Sequence, residues 1–333
     1  MPKIIQFKSL GGPEVLEFKD IALIKELGAD EVLYSVKAFA LNRSDWLLSA
    51  GYHYTIPELP SRIGSEASGI VEAVGKNVTK FQVGDKVTSI PFFTTKYLVH
   101  GEVAITPEKY LTHCPSNLNF IESCSIWMQY LTAYYPFVEI AKIRPGDFVL
   151  IGAASSSAGL GAIDIVKSCD GKVIATTRSD KKITLLKNYG ADEVINTPND
   201  DLKEKVMHIT NNKGLRAVYD PIGNPFYQEY LDALGMGSII FHFGLLSGES
   251  IKVDISRHVR KDSYLFPYSM FNYVDKDNFL FQGIDYISKK IKEGIFKQKI
   301  DKVFSFNNTI EAYKYLLEYD VMGKIVVEVD SND

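Results

Sequence analysis

Short apolar runs broken by glycine-rich turns dominate residues 1 to about 125. Val32-Leu-Tyr-Ser-Val-Lys-Ala38, Ala67-Ser-Gly-Ile-Val-Glu-Ala-Val74 and Lys86-Val-Thr-Ser-Ile90 read as strands, while Gly11-Gly12-Pro13, Gly75-Lys76-Asn77 and Val83-Gly84-Asp85 read as the turns between strands. This pattern predicts a compact antiparallel β domain. Near Phe120 the period changes, and Ile121 to Ala141 reads helical, ending before Arg144-Pro-Gly-Asp147. From Asp147 apolar runs and helical stretches alternate. Strands are expected at 148–151, 172–177, 193–195, 216–220 and 238–243, and helices near 159–169, 180–189, 201–210 and 225–234. Such alternation implies a parallel sheet with right-handed crossovers. The tail is mixed and closes with a β run, Gly323-Lys-Ile-Val-Val-Glu-Val-Asp330, read as rejoining the first domain.

The junction after the first of these strands carries the strongest chemical signal. Phe148-Val-Leu-Ile151 runs into Gly152-Ala-Ala-Ser-Ser-Ser-Ala-Gly-Leu-Gly161, and a helical pattern follows. Small residues at a strand-to-helix turn let the backbone approach a pyrophosphate and let the helix pack on the strand. The strict G-x-G-x-x-G spacing is absent. Ser155, Ser156 and Ser157 stand where glycines are common, ahead of Ala158 and Gly159, and offer hydroxyls to phosphate. The bland alternative is a small-residue turn of any α/β protein. The next strand ends in Thr176-Thr177-Arg178-Ser179, with Lys181 and Lys182 beyond. An NAD site places an acidic residue near here for the ribose 2′-OH. A carboxylate would repel a 2′-phosphate, whereas Thr177, Arg178, Ser179 and Lys182 suit one. These residues favour NADP over NAD; the alternative is that they only decorate the first turn of a helix beginning near Asp180.

Composition narrows the class. The 333 residues have a net charge of −4 and 46% hydrophobic content, which suits two well-packed domains and argues against nucleic acid as a partner. No apolar run of about 18 residues exists, so no membrane span is expected, and the first residues show no secretory h-region. Cys114, Cys124 and Cys169 are scattered, which suggests neither a disulfide scaffold nor a cysteine zinc cage. A cytoplasmic protein is the simplest expectation.

Leu41-Asn-Arg-Ser-Asp45, Gly64-Ser-Glu-Ala-Ser-Gly-Ile-Val-Glu-Ala-Val-Gly75, Phe81-Gln-Val-Gly-Asp-Lys-Val87, the turn near 152–161 and Gly190-Ala-Asp-Glu-Val-Ile-Asn196 follow in one order. Together they resemble the medium-chain dehydrogenase/reductase superfamily, in its zinc-independent quinone oxidoreductase-like branch. The resemblance implies an α/β chain of two parts. Residues 1–125 plus 268–333 would form a GroES-like antiparallel β domain, and 126–267 a Rossmann domain with a doubly wound parallel sheet, with a reactive cleft between them. It also implies NADP(H), a quinone or enone substrate and a homodimer. Zinc-bearing alcohol dehydrogenases of the superfamily carry Cys where this chain has Asn42, and His-Glu where it has Ser65-Glu66. Both exchanges remove a good zinc ligand, so no metal is expected. Asn42 and Asp45 resemble the Asn-x-x-Asp of the zinc-free branch; read from the residues alone they are a cap pair, and Glu66 a buried structural carboxylate.

The expected reaction is NADPH-dependent reduction of quinones or α,β-unsaturated carbonyls, where charge delocalises onto an oxygen that hydrogen bonds can hold without a Lewis acid. The alternatives are an alcohol or aldehyde dehydrogenase and a non-catalytic NADPH-binding protein. Tyr52, His53 and Tyr54 are candidate proton donors or plain loop aromatics. The segment Gln129-Tyr130-Leu-Thr132 matches the one that lines the nicotinamide end in the family, or is a helix on the core. Phe243 and Gly244 lie on the cofactor's path or end a buried strand. Lys324 reaches the cleft or neutralises a surface. Tyr286 and Lys290 fit a Tyr-x-x-x-Lys pair but are read as an exposed helix face. The aromatic stretch 264–273 is a substrate wall or a dimer seam.

Overall fold

The computed structural model describes residues 1–318 and 320–329. In chain order its strands are β1 (Lys3–Phe7), β2 (Leu16–Asp20), β3 (Glu31–Leu41), β4 (Ser61–Arg62), β5 (Glu66–Val74), β6 (Lys86–Ser89), β7 (Val103–Pro107), β8 (Leu111–His113), β9 (Phe148–Ile151), β10 (Lys172–Thr177), β11 (Glu193–Asn196), β12 (Leu215–Asp220), β13 (Leu234–His242), β14 (Tyr264–Pro267), β15 (Ile300–Ser305) and β16 (Lys324–Glu328). They fall into two compact units, 1–128 with 298–333 and 129–297.

The first unit is built on two sheets. β2-β1-β4 form one, and β15-β16-β3-β5-β6-β8 the other, with β7 also on β3. Only a long strand could serve so many neighbours. Half of β3 pairs with β16 (Ala38–Leu41) and the other half with β7 (Glu31–Ser35), while β5 runs along its other side. β15 and β16 pair in parallel, the exception in an otherwise antiparallel sheet. Alternating side chains of these strands, among them Val32, Tyr34, Val36, Val71 and Val87, meet in one buried core. The expected β run at 323–330 appears as β16; residue 330 lies outside the described residues.

The second unit holds a six-stranded parallel sheet in the order β11-β10-β9-β12-β13-β14. The order reverses between β9 and β12, the switch point where doubly wound sheets open a crevice at the carboxyl ends of their strands. Strand positions match the alternation read from the sequence. The helix expected at 225–234 is a shorter one, Phe226–Tyr230, followed by a 3-10 turn. The stretch 121–141 is not one helix either. It divides into Phe120–Ser123, Trp127–Tyr134 and a π-helical turn at Tyr135–Ile140, with Pro136 at its start, where a missing N–H cannot continue the α-helical ladder. The boundary expected at 268 falls at 298. β14 extends the parallel sheet, and the amphipathic helix Asp277–Lys292 presses Gly283 so close to Leu131 that a Cβ would lie 2.7 Å from its side chain. The 264–273 stretch splits accordingly: Tyr264 is exposed on the sheet's edge strand, while Tyr268 and Met270 are buried. Tyr286 is half-buried and paired with Ser168 (2.7 Å), not on an open face. No helix among the described residues is long and apolar enough to cross a membrane.

Candidate active site

In the second unit, the turn after β9 is held by its small residues. Gly152 donates its N–H to Tyr219 O at 2.9 Å, tying the ends of β9 and β12 together. Ala153 has φ +48, a left-handed conformation that a larger or β-branched residue would adopt at higher cost. The helix Ser157–Ser168 then begins, with Ser156 as its N-cap: Ser156 Oγ accepts from Gly159 N–H at 3.1 Å. A Cβ on Gly159 would sit 2.6 Å from the Ala154 backbone, and one on Gly161 2.6 Å from Gln129 O. These glycines therefore let the helix start directly against the turn, which aims its N-terminus and macrodipole at the switch point. Ser157 and Ala158 form its first positions.

The end of β10 faces the same edge. Thr177 Oγ1 accepts from Ser179 N–H at 3.2 Å, Arg178 is exposed, and Lys182 is buried with Nζ donating to Ser155 Oγ at 3.2 Å. Ser155, in the turn, and Lys182, in the helix Lys181–Tyr189, are thus brought together from separate elements. Asp220 ends β12 fully buried. Its Oδ1 accepts from the Ile222 and Gly223 N–H groups and its Oδ2 from Tyr230 OH at 2.8 Å, which shapes the adjoining turn. Sequence reasoning missed this residue, although an Asp at a strand end before Pro-x-Gly signals such a turn. Phe243 packs against Tyr219 with the rings tilted (4.2 Å between centroids), and Gly244 lies against Pro221, where a Cβ would be 2.7 Å from the carbonyl oxygen.

Gln129, Tyr130 and Thr132 are nearly or fully buried. Tyr130 does not present its hydroxyl at a surface. It donates to Asp164 Oδ2 at 2.9 Å, Tyr189 donates to the same oxygen at 3.0 Å, and the Tyr130 ring stacks on Phe296. Burial pushes the Asp164 carboxyl up to about 7 against the pull of these two phenols. Thr132 Oγ1 donates to Met270 Sδ at 3.2 Å.

The first unit contains a closed polar network. Asn42 precedes the helix Arg43–Ala50, and Asp45 at its third position accepts the Asn42 N–H at 2.8 Å, the backward half of a capping box. The Asn42 amide instead turns toward Lys324, whose Nζ donates to Asn42 Oδ1 and to Glu66 Oε2, each at 2.6 Å. Glu66 and Lys324 are both 0% exposed, so Lys324 is a buried cation and not a surface one. Glu66 Oε1 accepts from Met128 N–H at 2.7 Å, and Oε2 also takes Asn42 Nδ2 at 3.0 Å. Ser65 closes the network, donating to Asp45 Oδ1 at 2.9 Å and accepting from Asn42 Nδ2 at 3.4 Å. The position of Ser65 is set by Gly64, at φ +93, packed so closely on His100 that a Cβ would overlap the ring. Burial pushes His100 down to about 3, leaving it neutral beside Tyr313. Burial pushes Asp45 the other way, up to about 7. Glu66 and Lys324 lie 258 positions apart, a contact no local pattern could have announced. Of the loop aromatics, Tyr52 and Tyr54 are exposed, and His53 Nδ1 accepts from Thr55 N–H at 3.1 Å. Burial lowers the affinity of His53 for a proton.

Known proteins share this fold. The family model described as alcohol dehydrogenase GroES-like domain matches residues 28–133, and that described as zinc-binding dehydrogenase matches 158–280. A quinone oxidoreductase of Pseudomonas aeruginosa is 30% identical over 98% of this chain and 99% of its own length. A 2-haloacrylate reductase of a Burkholderia species is 26% identical over 95% and 96%. The crystal structure of Escherichia coli quinone oxidoreductase complexed with NADPH superposes with a TM-score of 0.89 at 26% identity, covering 98% and 99% of the two chains. By descent and by fold, the chain belongs to the medium-chain dehydrogenase/reductase superfamily, in its quinone oxidoreductase-like branch.

Proposed function

We propose that this protein is an NADPH-dependent reductase of quinones or other activated alkenes and that it works without zinc. The observation that carries the reading is the pair formed by the Gly152–Gly159 turn and the buried Lys182 ammonium at Ser155. A helix N-terminus that admits close approach suits a pyrophosphate. A lysine beside it, with Thr177, Arg178 and Ser179 at the end of β10, suits a 2′-phosphate, and the neighbouring Asp180 has its Oδ1 taken up by Asn196 Nδ2 at 2.6 Å. The NADPH-bound relative of the same fold supports this choice. The cofactor supplies hydride; the chain holds its phosphates and the acceptor.

The donor set of the first unit suits the zinc-free reading. Asn42, Ser65 and Glu66 provide an amide, a hydroxyl and a carboxylate, and two of the three are already engaged by Lys324 Nζ. A zinc ion prefers thiolate and imidazole, and here it would have to displace a buried ammonium. Without a Lewis acid, acceptors that spread charge onto an oxygen are the ones within reach.

Fluorescence titration with NADPH and NADH tests the reading. NADPH is expected to bind at least about tenfold more tightly, about 1.4 kcal/mol, and Lys182→Ala to abolish that preference. Equal affinities would overturn the NADPH assignment, and stoichiometric zinc in purified protein would overturn the metal-free one.

A further inference from the structure

In the polar network of the first unit, the direction of one hydroxyl depends on where a proton sits. Lys324 occupies Asn42 Oδ1, so the Asn42 Nδ2 group must face Ser65 and Glu66, and Ser65 Oγ always accepts from it. When Asp45 is a carboxylate, the Ser65 O–H has a fixed acceptor, Asp45 Oδ1 at 2.9 Å. When Asp45 carries a proton on that oxygen, the bond reverses. Asp45 donates to Ser65 Oγ, Ser65 then accepts twice, and its own O–H must point out of the network. Among the side chains of the network Ser65 is partly exposed, while Asn42, Asp45, Glu66 and Lys324 are buried.

We propose that Ser65 and Asp45 form a two-residue proton wire, in which the Ser65 hydroxyl protonates the reduced acceptor and Asp45 reloads it. The proposal rests on the reductase reading and deepens it. An acceptor that has received hydride is an anion. The Ser65 O–H bond breaks and its proton forms the new bond on that anion. In the same step the Asp45 O–H bond breaks and its proton passes to Ser65 Oγ. Asp45 is left a carboxylate and regains a proton from water. The groups facing Asp45 are the Asn42 N–H, Ser65, the Lys324 ammonium, the Glu66 carboxylate and Tyr313, whose hydroxyl pairs with His100. Burial dominates over these groups and holds the Asp45 carboxyl near neutrality, where it can both give and take a proton.

Infrared difference spectra of the full-length protein against Asp45→Asn, taken across neutral pH, test the reservoir. A carboxylic-acid C=O band titrating near pH 7 is expected, and its frequency should shift in Ser65→Ala, which removes the partner. Steady-state reduction of an enone tests delivery. Ser65→Ala and Asp45→Asn should each lower kcat about 100-fold and remove its fall above neutral pH. NADPH affinity should be unchanged, and Ser65→Thr should restore both rate and profile. Absence of the titrating band, a band indifferent to Ser65→Ala, or an unaltered pH profile in the variants overturns the wire. If the band behaves as expected but wild-type protein reduces no quinone or enone, the reductase reading fails and takes the assigned proton acceptor with it, while the Ser65–Asp45 coupling stands.

Discussion

Replacing Lys324 with Met removes the cation from a pair in which both partners are 0% exposed and 2.6 Å apart. At an effective dielectric near 20 the attraction over that distance is about 6 kcal/mol. The cost of taking both charges from water offsets much of it, so the pair adds little by itself. Breaking it is another matter. Glu66 would keep only the Asn42 amide and the Met128 N–H, and a buried carboxylate left without its counter-charge costs about 3–5 kcal/mol. Glu66→Gln is expected to cost a similar amount by stranding the ammonium on Asn42 Oδ1. The double variant Lys324→Met, Glu66→Gln removes both charges and leaves an amide that can still accept from Met128. Its cost should fall short of the summed single costs by about 2 kcal/mol or more. Differential scanning calorimetry reads this as a loss of roughly 6–20 °C in each single variant, at about 2–4 °C per kcal/mol for a unit of this size. Single variants that each cost under about 1 kcal/mol, or a double variant equal to their sum, would refute the reasoning, because a desolvated pair cannot be lost so cheaply.

Ser156→Ala should cost about 1 kcal/mol through loss of the N-cap to Gly159, measured by urea unfolding of the second unit. Gly159→Val drives a Cβ to 2.6 Å from the Ala154 backbone and should displace the helix start, seen as a lower Tm together with weaker NADPH binding in the titration above. Stability should fall as pH rises from about 4 to about 7. Asp45 and Asp164 each hold a proton more tightly when folded, with carboxyls raised from 3.8 to about 7, so their contribution is full below the unfolded value and is lost as pH climbs through the folded one. Asp164→Asn should flatten part of that slope in Tm against pH, and an unchanged slope would assign it elsewhere.

How much the sequence revealed differs between the two units. The turn at 152–161 was legible because backbone approach and helix packing demand small residues at fixed offsets, and Gly159 and Gly161 occupy the tight contacts that demand implies. The parallel order of β9 to β13 was legible for a similar reason, since alternating elements of opposite period leave few topologies. The helix at 121–141 was misread because its apolar content is uniform, and the break at Pro136 and the turn at Ser123–Ser125 depend on what each piece packs against. The same cause moved the boundary from 268 to 298. Helix Asp277–Lys292 has an apolar face, but nothing in its own pattern names the surface that covers it.

The sequence by itself determined the class of the molecule, its two-part α/β build, the place of the small-residue turn after β9 and the character of the residues at the end of β10. These follow from local spacing, where steric demands act over a few residues. Only the tertiary structure decided what Asn42, Asp45, Ser65, Glu66 and Lys324 do. Asn-x-x-Asp reads as a cap pair, Glu66 as a buried structural carboxylate and Lys324 as the start of a β run that reaches the cleft or neutralises a surface, and none of these readings names the others as partners. Pairing of β16 with β3, and of β3 with β5, brings the three segments together, and burial then forces their charges and amides to satisfy one another.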